Sequence, residues 1–335
     1  MGVRERLSWL TNGLVIGTSL IGSVLFTSCT KTEPVQLERL EKDLFAAKTT
    51  AQIRQFLTSH PGVANLYFNA NDAASDTTIV AELTNRVNNP ELQVLYQQTE
   101  TEFGDAMALQ NSLAEAFRNI KRDFPSFKSP RVATIITGFD MGPDLLVTDS
   151  LIVIGLDYFA GHKAKYRPVG PEFPQYVLRR YQKDYIVPTI VRMISDRFNA
   201  TDPADQTLLA DMIHSGKGLL FTRTILPETP DSLIIGYSDR QLTQTFNSQD
   251  QVWAHFIDNQ LLYNAGGEIK QRYMEERPFV AEIGTACPGR IGQWLGWRMV
   301  SYYQTRQKAS LPDIMQVKNA QTLFQHSGYK GQKEE

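Results

Sequence analysis

A change of period near residue 131 limits what this chain can fold into. Upstream, from Leu37 to about Phe124, apolar side chains recur at helical spacing. Leu37, Leu40, Leu44 and Phe45 make one stripe, Ile53, Phe56 and Leu57 another, and Met107, Leu109, Leu113, Phe117 and Ile120 a third. Two β-rich runs of strand length follow, Arg131–Gly138 and Ser150–Gly155, joined by a loop containing Met141-Gly142-Pro143. They read as neighbouring strands. Beyond them the helical pattern returns, first over Tyr176–Phe198 with a break expected before Pro188. Two short strands among so much helix predict a mainly α protein with a small β-sheet, an α+β arrangement. With no repeat and no low-complexity linker, residues 30–335 read as one globular domain. Its expected parts are a helical portion over about 35–124, a sheet over about 131–156 and a helical core over about 172–307.

The N-terminus reads as targeting rather than fold. Arg4 and Arg6 precede an apolar run, Leu14–Phe26, that is short for a membrane span and right for a signal sequence. Thr27-Ser28-Cys29 resembles the lipobox of bacterial lipoproteins, with Phe26 where Leu is usual; an uncleaved anchor helix is the alternative. The resemblance implies cleavage ahead of Cys29, a signal peptide over 1–29 and a Cys29 carrying acyl chains, palmitate among them. Cys287 is then left without a partner, so no disulfide framework is expected and Cys287 reads as a buried structural thiol. Thr30-Lys31-Thr32-Glu33-Pro34 has no Asp after the Cys and no acidic run. By resemblance to known sorting signals, this implies the periplasmic face of the outer membrane. Lys and Arg number 34 against 36 Asp and Glu, with no basic run, so nucleic acid is not an expected partner.

Chemistry, if present, is expected on the helix that follows Thr201. Asp202 as N-cap and Pro203 at the first position predict a start near Pro203. Leu209, Met212, Ile213, Gly216 and Leu220 form its apolar face, while Asp211, His214 and Lys217 fall together on another side. A zinc-peptidase helix needs His-Glu-x-x-His; here Ser215 stands in the Glu position and Gly218 in the second His position. His60, His162, His255 and His326 supply no i,i+4 pair, leaving as the one metal arrangement His214 with His255 across two helices and Asp211 or Asp250 as third ligand. Neither metal nor cofactor is expected, and His214 reads first as a partly buried group bonded to Asp211 or to backbone.

Three further features are singled out. Asp157 follows the second strand, where it either caps a turn or serves a binding site. Arg179-Arg180-Tyr181 reads as a solvated face in preference to an anion site. Gly289, Gly292 and Gly296 share one side of a helix expected from Pro288, inviting close backbone approach, with Ile291, Trp294, Leu295 and Met299 filling the adjacent surface. Arg290 and Arg298 on that helix are expected mainly to be satisfied internally. Gly328–Glu335 reads as a frayed tail.

Several of these stretches carry a resemblance. IGLDYFAGHKAKYRP, YVLRRYQKDYIVPTIVRMI, MIHSGKGLLFTRTILPETPDSLIIGYSDRQL, Trp253 and Phe256 in QVWAHFIDNQLLYN, and RPFVAEIGTACPGRIGQWLGWRMVSYY are similar to the gliding-motility lipoprotein GldB family of Bacteroidetes-type bacteria. The resemblance spans about 154–303, together with the lipoprotein signal. It departs from the pattern at Gln249-Asp250, where an acid ahead of the Trp is expected. The resemblance implies gliding motility, a process associated with type IX secretion, and no established catalytic activity. It further implies a distant, degenerate zinc-metallopeptidase-like (gluzincin-like) architecture around a central helix, the metal motif replaced at His214–Gly218. That analogy concerns architecture, not function.

Two classes of function follow. One is a non-enzymatic envelope lipoprotein, a pseudoenzyme anchored by Cys29 and working with other motility or secretion proteins. The other is a peptidoglycan- or peptide-binding protein, or a hydrolase, with a pocket built from Asp157, Asp211, His214, Lys217, Tyr237 and Arg290. Convergence of those six on one open cleft discriminates between them.

Overall fold

The two β-rich runs do pair. In the computed structural model, which describes residues 35–332 apart from 70, 71, 73 and 74, the sheet has four strands. They are β1 (Leu37–Arg39), β2 (Arg131–Ile135), β3 (Leu145–Val147) and β4 (Leu151–Gly155), in the order β1-β2-β4-β3. β1, β2 and β4 are parallel, with Val132 opposite Leu37 and Ile152, while β3 runs antiparallel to β4. Every residue of β4 is buried, as expected of a parallel strand covered on both faces. Sequence reasoning placed Leu37 in a helix; it opens β1 instead. Leu37–Arg39 is too short to show a period of its own and is a strand because it pairs with β2. The buried Glu41 carboxylate accepts from Thr134 Oγ1 at 2.5 Å and pairs with Arg39, fixing this strand and the helix after it to the sheet.

Six helices follow β1 and wrap the sheet: α1 (Leu40–Ala46), α2 (Thr50–Ser59), α3 (Pro61–Leu66), α4 (Thr77–Asn88), α5 (Pro90–Phe103) and α6 (Met107–Asp123). Their starts follow local chemistry. Thr49 and Gln52 form a capping box on α2, Asp76 caps α4, and Asn89 caps α5 with Pro90 in its first turn.

Beyond β4 the expected helix over Tyr176–Phe198 divides differently. α7 (Gln175–Leu178) and α8 (Ile186–Ser195) are separated by residues 179–185, and Pro188 lies inside the first turn of α8, where its missing N–H leaves no carbonyl unpaired. α9 (Leu208–Ile225) starts five residues later than Asp202-Pro203 implied. Its cap is Thr207, whose hydroxyl accepts from Ala210 N, while Asp202 and Asp205 turn back to Ala204 N and Thr207 N in local loops. The remaining helices are α10 (Asp231–Ile235), α11 (Asp239–Asn247), α12 (Gln249–Asp258), α13 (Gly267–Met274), α14 (Ile291–Gln307), α15 (Leu311–Gln316) and α16 (Ala320–Ser327).

Two apolar clusters fill the interior, and α9 belongs to both. Phe221 and Ile225 join the cluster of sheet, α1–α6 and α8, whereas Leu208, Leu209, Met212, Ile213, Leu219 and Leu220 join the cluster of α10–α14 and α16. The described residues cluster as one compact unit. Among the described residues no helix is long and apolar enough to cross a membrane. The signal segment and Cys29 lie outside the described residues.

The tail is a correction too. Tyr329 is 1% exposed, packed edge-on to Trp253 and Tyr302, and Tyr302 Oη donates to Gln332 O at 2.9 Å. One aromatic side chain anchors a segment whose composition reads as loose.

Candidate functional site

The six nominated residues fall into three separate settings. Asp211, His214 and Lys217, one turn apart on α9, line an open pocket of about 250 Å³ together with Asp202, Asp205 and Lys318. Asp157 lies beneath the turn after β2. Tyr237 and Arg290 meet beside the end of α10. The single cleft that the binding or hydrolase alternative requires is not formed by these six residues.

Within the α9 pocket the side chains point to different partners. Lys217 is 1% exposed, and its Nζ donates to Ala200 O at 2.6 Å, Val317 O at 2.9 Å and Met315 O at 3.3 Å. It ties α9 to the loop after α8 and to the C-terminal end of α15. Among the described residues no carboxylate pairs with it, and burial pulls the Lys217 pKa down to about 8. Asp211 pairs with Lys270 at 2.9 Å rather than with His214. His214 places Nε2 at 3.4 Å from Asp196, with its side chain 40% exposed, and its Nδ1 is enclosed without a hydrogen-bond partner. Its own carbonyl accepts from Asn199 Nδ2.

His255, the second candidate ligand, places Nε2 2.8 Å from Tyr273 Oη. Among the described residues no group of three or more His, Cys, Asp and Glu side chains stands where it could hold a metal ion. Cys287 is a buried free thiol whose pKa burial pushes up to about 12.

Asp157 closes a turn. Its Oδ2 accepts from the backbone N–H groups of Gly138 at 2.8 Å and of Thr137 and Phe139 at 3.3 Å, where Gly138 and Phe139 both have positive φ. Such a concave run of amides is a ready anion cradle, here filled by the protein's own carboxylate. The three donors favour the charged form, but complete burial outweighs them and pushes the Asp157 pKa up to about 6. Tyr158 Oη donates to Phe139 O at 2.6 Å and fixes the same turn from the next residue.

Tyr237 is buried and donates from Oη to Gly289 O at 2.7 Å. The Arg290 guanidinium lies 5.5 Å over its ring, with Nε 2.8 Å from Glu276 Oε1 and Nη2 3.3 Å from Gly236 O. Arg290 has φ of 61° and stands just ahead of α14, so this helix begins at Ile291 and leaves Gly289 outside it, not inside as the glycine spacing implied. Gly292 and Gly296 do lie at close contacts. A β-carbon on Gly296 would stand 1.7 Å from Met212 O, and one on Gly292 2.6 Å from Met274 Sδ.

Along the chain these pieces run as a sheet-flanked first half, the HSGKG helix α9 and the glycine-faced α14 packed upon it. A profile described as "gliding motility protein GldB" matches residues 27–331. The chain belongs to the GldB family. No curated protein and no solved structure matches it. Family membership makes it a gliding motility lipoprotein by description, which implies an envelope protein associated with a membrane.

In this GldB-family chain, sequence reasoning named the residues of two features without finding their setting. Arg179 and Arg180 sit beside Arg290, and a pairing across more than a hundred residues leaves no local signal. Gln249, where the family pattern led to an acid being expected, is fully buried with neither amide atom hydrogen-bonded to protein. Two clefts of about 450 and 530 Å³ open near the C-terminal end of α9. The first is lined by Phe103, Leu109, Pro227 and Leu233, the second by Phe246, Trp297 and Arg298, the last with its guanidinium 4.6 Å from the Phe246 ring.

Proposed function

We propose that this GldB-family chain is a non-enzymatic envelope lipoprotein of the gliding motility apparatus. In this reading it is held by acyl chains on Cys29 at the periplasmic face of the outer membrane. It acts through contacts with other motility or type IX secretion proteins. One observation carries the reading: the side chains best suited to chemistry are engaged with the protein's own backbone. Lys217 holds three carbonyls, Asp157 holds three amides and Tyr237 holds Gly289 O. A catalytic zinc site needs three protein ligands and an open position for water. The α9 pocket offers His214, with Asp211 drawn away to Lys270. In the same reading α9 is the counterpart of the metal helix of HExxH metallopeptidases, with the motif lost, so the scaffold is gluzincin-like and the protein a pseudoenzyme.

The test pairs metal content with motility. After dialysis the purified protein is expected to retain no stoichiometric zinc, and His214→Ala is expected to glide as wild type. Near-stoichiometric zinc that disappears in His214→Ala would overturn the reading. Affinity purification after mild envelope cross-linking is expected to recover motility or secretion proteins, not cell-wall fragments alone.

A further inference from the structure

The Arg179-Arg180 doublet is not a solvated face. Both residues turn towards the C-terminal end of α10, where Gly236 has φ of 72°. Arg179 Nη2 donates to Gly236 O at 2.7 Å and Nη1 to Gln241 Oε1, while its Nε is buried and makes no hydrogen bond. Arg180 Nη1 lies 2.6 Å from Glu276 Oε1. Arg290 brings Nε to 2.8 Å from the same oxygen, but out of line for a hydrogen bond, so that this buried N–H is also unsatisfied. Three guanidiniums thus converge on one carbonyl and one carboxylate. Among the described residues, no second carboxylate lies within ion-pairing distance of any of the three.

The charge count is lopsided. Three positive charges against one negative leave an excess of two in a half-buried site, and the Tyr237 ring lies against Arg290. Burial, together with the neighbouring guanidiniums, lowers the pKa of both Arg179 and Arg290, the expected response to positive charge without enough counter-charge. The cluster reaches solvent on the Glu276 side, where the side chains of Arg180 and Glu276 are 22% and 37% exposed.

We propose that Arg179, Arg180 and Arg290 form a binding site for a phosphate-type dianion, entering beside Glu276. Arginine forks match the oxygens of phosphate, and a phosphate near its second ionisation carries close to two negative charges at neutral pH. That balances what Glu276 leaves over. Glu276 stays paired with Arg180 and Arg290 and, as a like charge beside the entry, limits how tightly the anion is held. The same chemistry serves a free phosphate ion and the phosphomonoester of a headgroup.

The test is thermal unfolding of the full-length protein in detergent, titrated with inorganic phosphate and, separately, with glycerol 1-phosphate, against chloride at matched ionic strength. Phosphate is expected to raise the midpoint saturably while chloride does not. Arg180→Gln, at the most open of the three positions, should weaken binding at least tenfold, and Glu276→Gln should strengthen it several-fold. Tighter binding of glycerol 1-phosphate assigns a monoester ligand; tighter binding of inorganic phosphate assigns the free ion. Equal shifts with phosphate and chloride, or a phosphate affinity unchanged in both variants, overturn the proposal. Glu276→Gln keeps it falsifiable should Arg180→Gln fail to fold.

Discussion

Asp157 receives three backbone N–H groups and Lys217 serves three backbone carbonyls, and in each case burial pulls the pKa towards the neutral form. The consequences for stability have opposite pH dependence. Asp157 titrates near 3.8 when unfolded and at about 6 when folded. The native state therefore holds the extra proton between those values, and this contribution to stability is full below pH 4 and lost as pH rises through 6. Each pKa unit is worth about 1.4 kcal/mol, so the change is about 3 kcal/mol. Relative to Asp157→Asn, wild type is expected to lose stability between pH 4 and 6, measured by denaturant unfolding of both proteins at each pH. A constant difference would remove Asp157 from the pH response.

For Lys217 the unfolded state holds the extra proton, between about 8 and 10.5. Stability relative to Lys217→Met should therefore rise from pH 8 to 10, again by about 3 kcal/mol. A flat difference across that range would mean that the ammonium is solvated. Both residues were visible in sequence as polar groups at strand end and helix face. Turn capping was one of two readings for Asp157, and the role of Lys217 was not legible, because the groups both bind are backbone atoms brought near by folding.

At the scale of elements, α9 and α14 form the closest contact in the molecule's second half. Gly216 and Gly296 face each other: a β-carbon on Gly216 would stand 2.3 Å from Gly296 O, and one on Gly296 1.7 Å from Met212 O. The obstructing atoms are helix backbone and cannot rotate away. Overpacking of a core costs about 1–3 kcal/mol where side chains can adjust, so Gly296→Leu is expected to cost about 3 kcal/mol or more. A lower denaturation midpoint and loss of protease resistance would register it, and wild-type stability would show that the two helices separate at no cost. The glycine spacing was legible in sequence because helical geometry puts such positions on one face. The start of α9 was misplaced because Asp202-Pro203 reads as a helix start, whereas the helix begins at Leu208, capped by Thr207, where Leu208 and Leu209 pack into the second cluster.

For the whole molecule, α9 is the piece both halves need. It supplies Phe221 and Ile225 to one apolar cluster and Leu208–Leu220 to the other, so neither half has a complete core without it. The α9 residues that read as a chemical stripe are therefore placed among structural contacts. On the proposed reading the assembled domain hangs from a lipid at Cys29, and two or more acyl chains are needed for stable anchoring. Cys29→Ser is expected to leave an unprocessed precursor that takes up no labelled fatty acid. Equal incorporation in that variant would refute the anchor.

What the sequence determined by itself is whatever depends on near neighbours. The helical stripes of α2 and α6, the strand character of the two β-rich runs and the shared face of Gly292 and Gly296 on α14 all follow from spacings of a few residues. Tertiary structure alone decided that β1 is a strand, that Tyr329 anchors the tail, that Asp157 and Lys217 serve backbone rather than ligand, and that Arg179, Arg180 and Arg290 share Gly236 and Glu276. The physical reason is common to all four. A buried charge, an edge-on ring or a three-residue strand gains its stability from atoms distant in sequence, and those atoms leave no periodic trace in the chain.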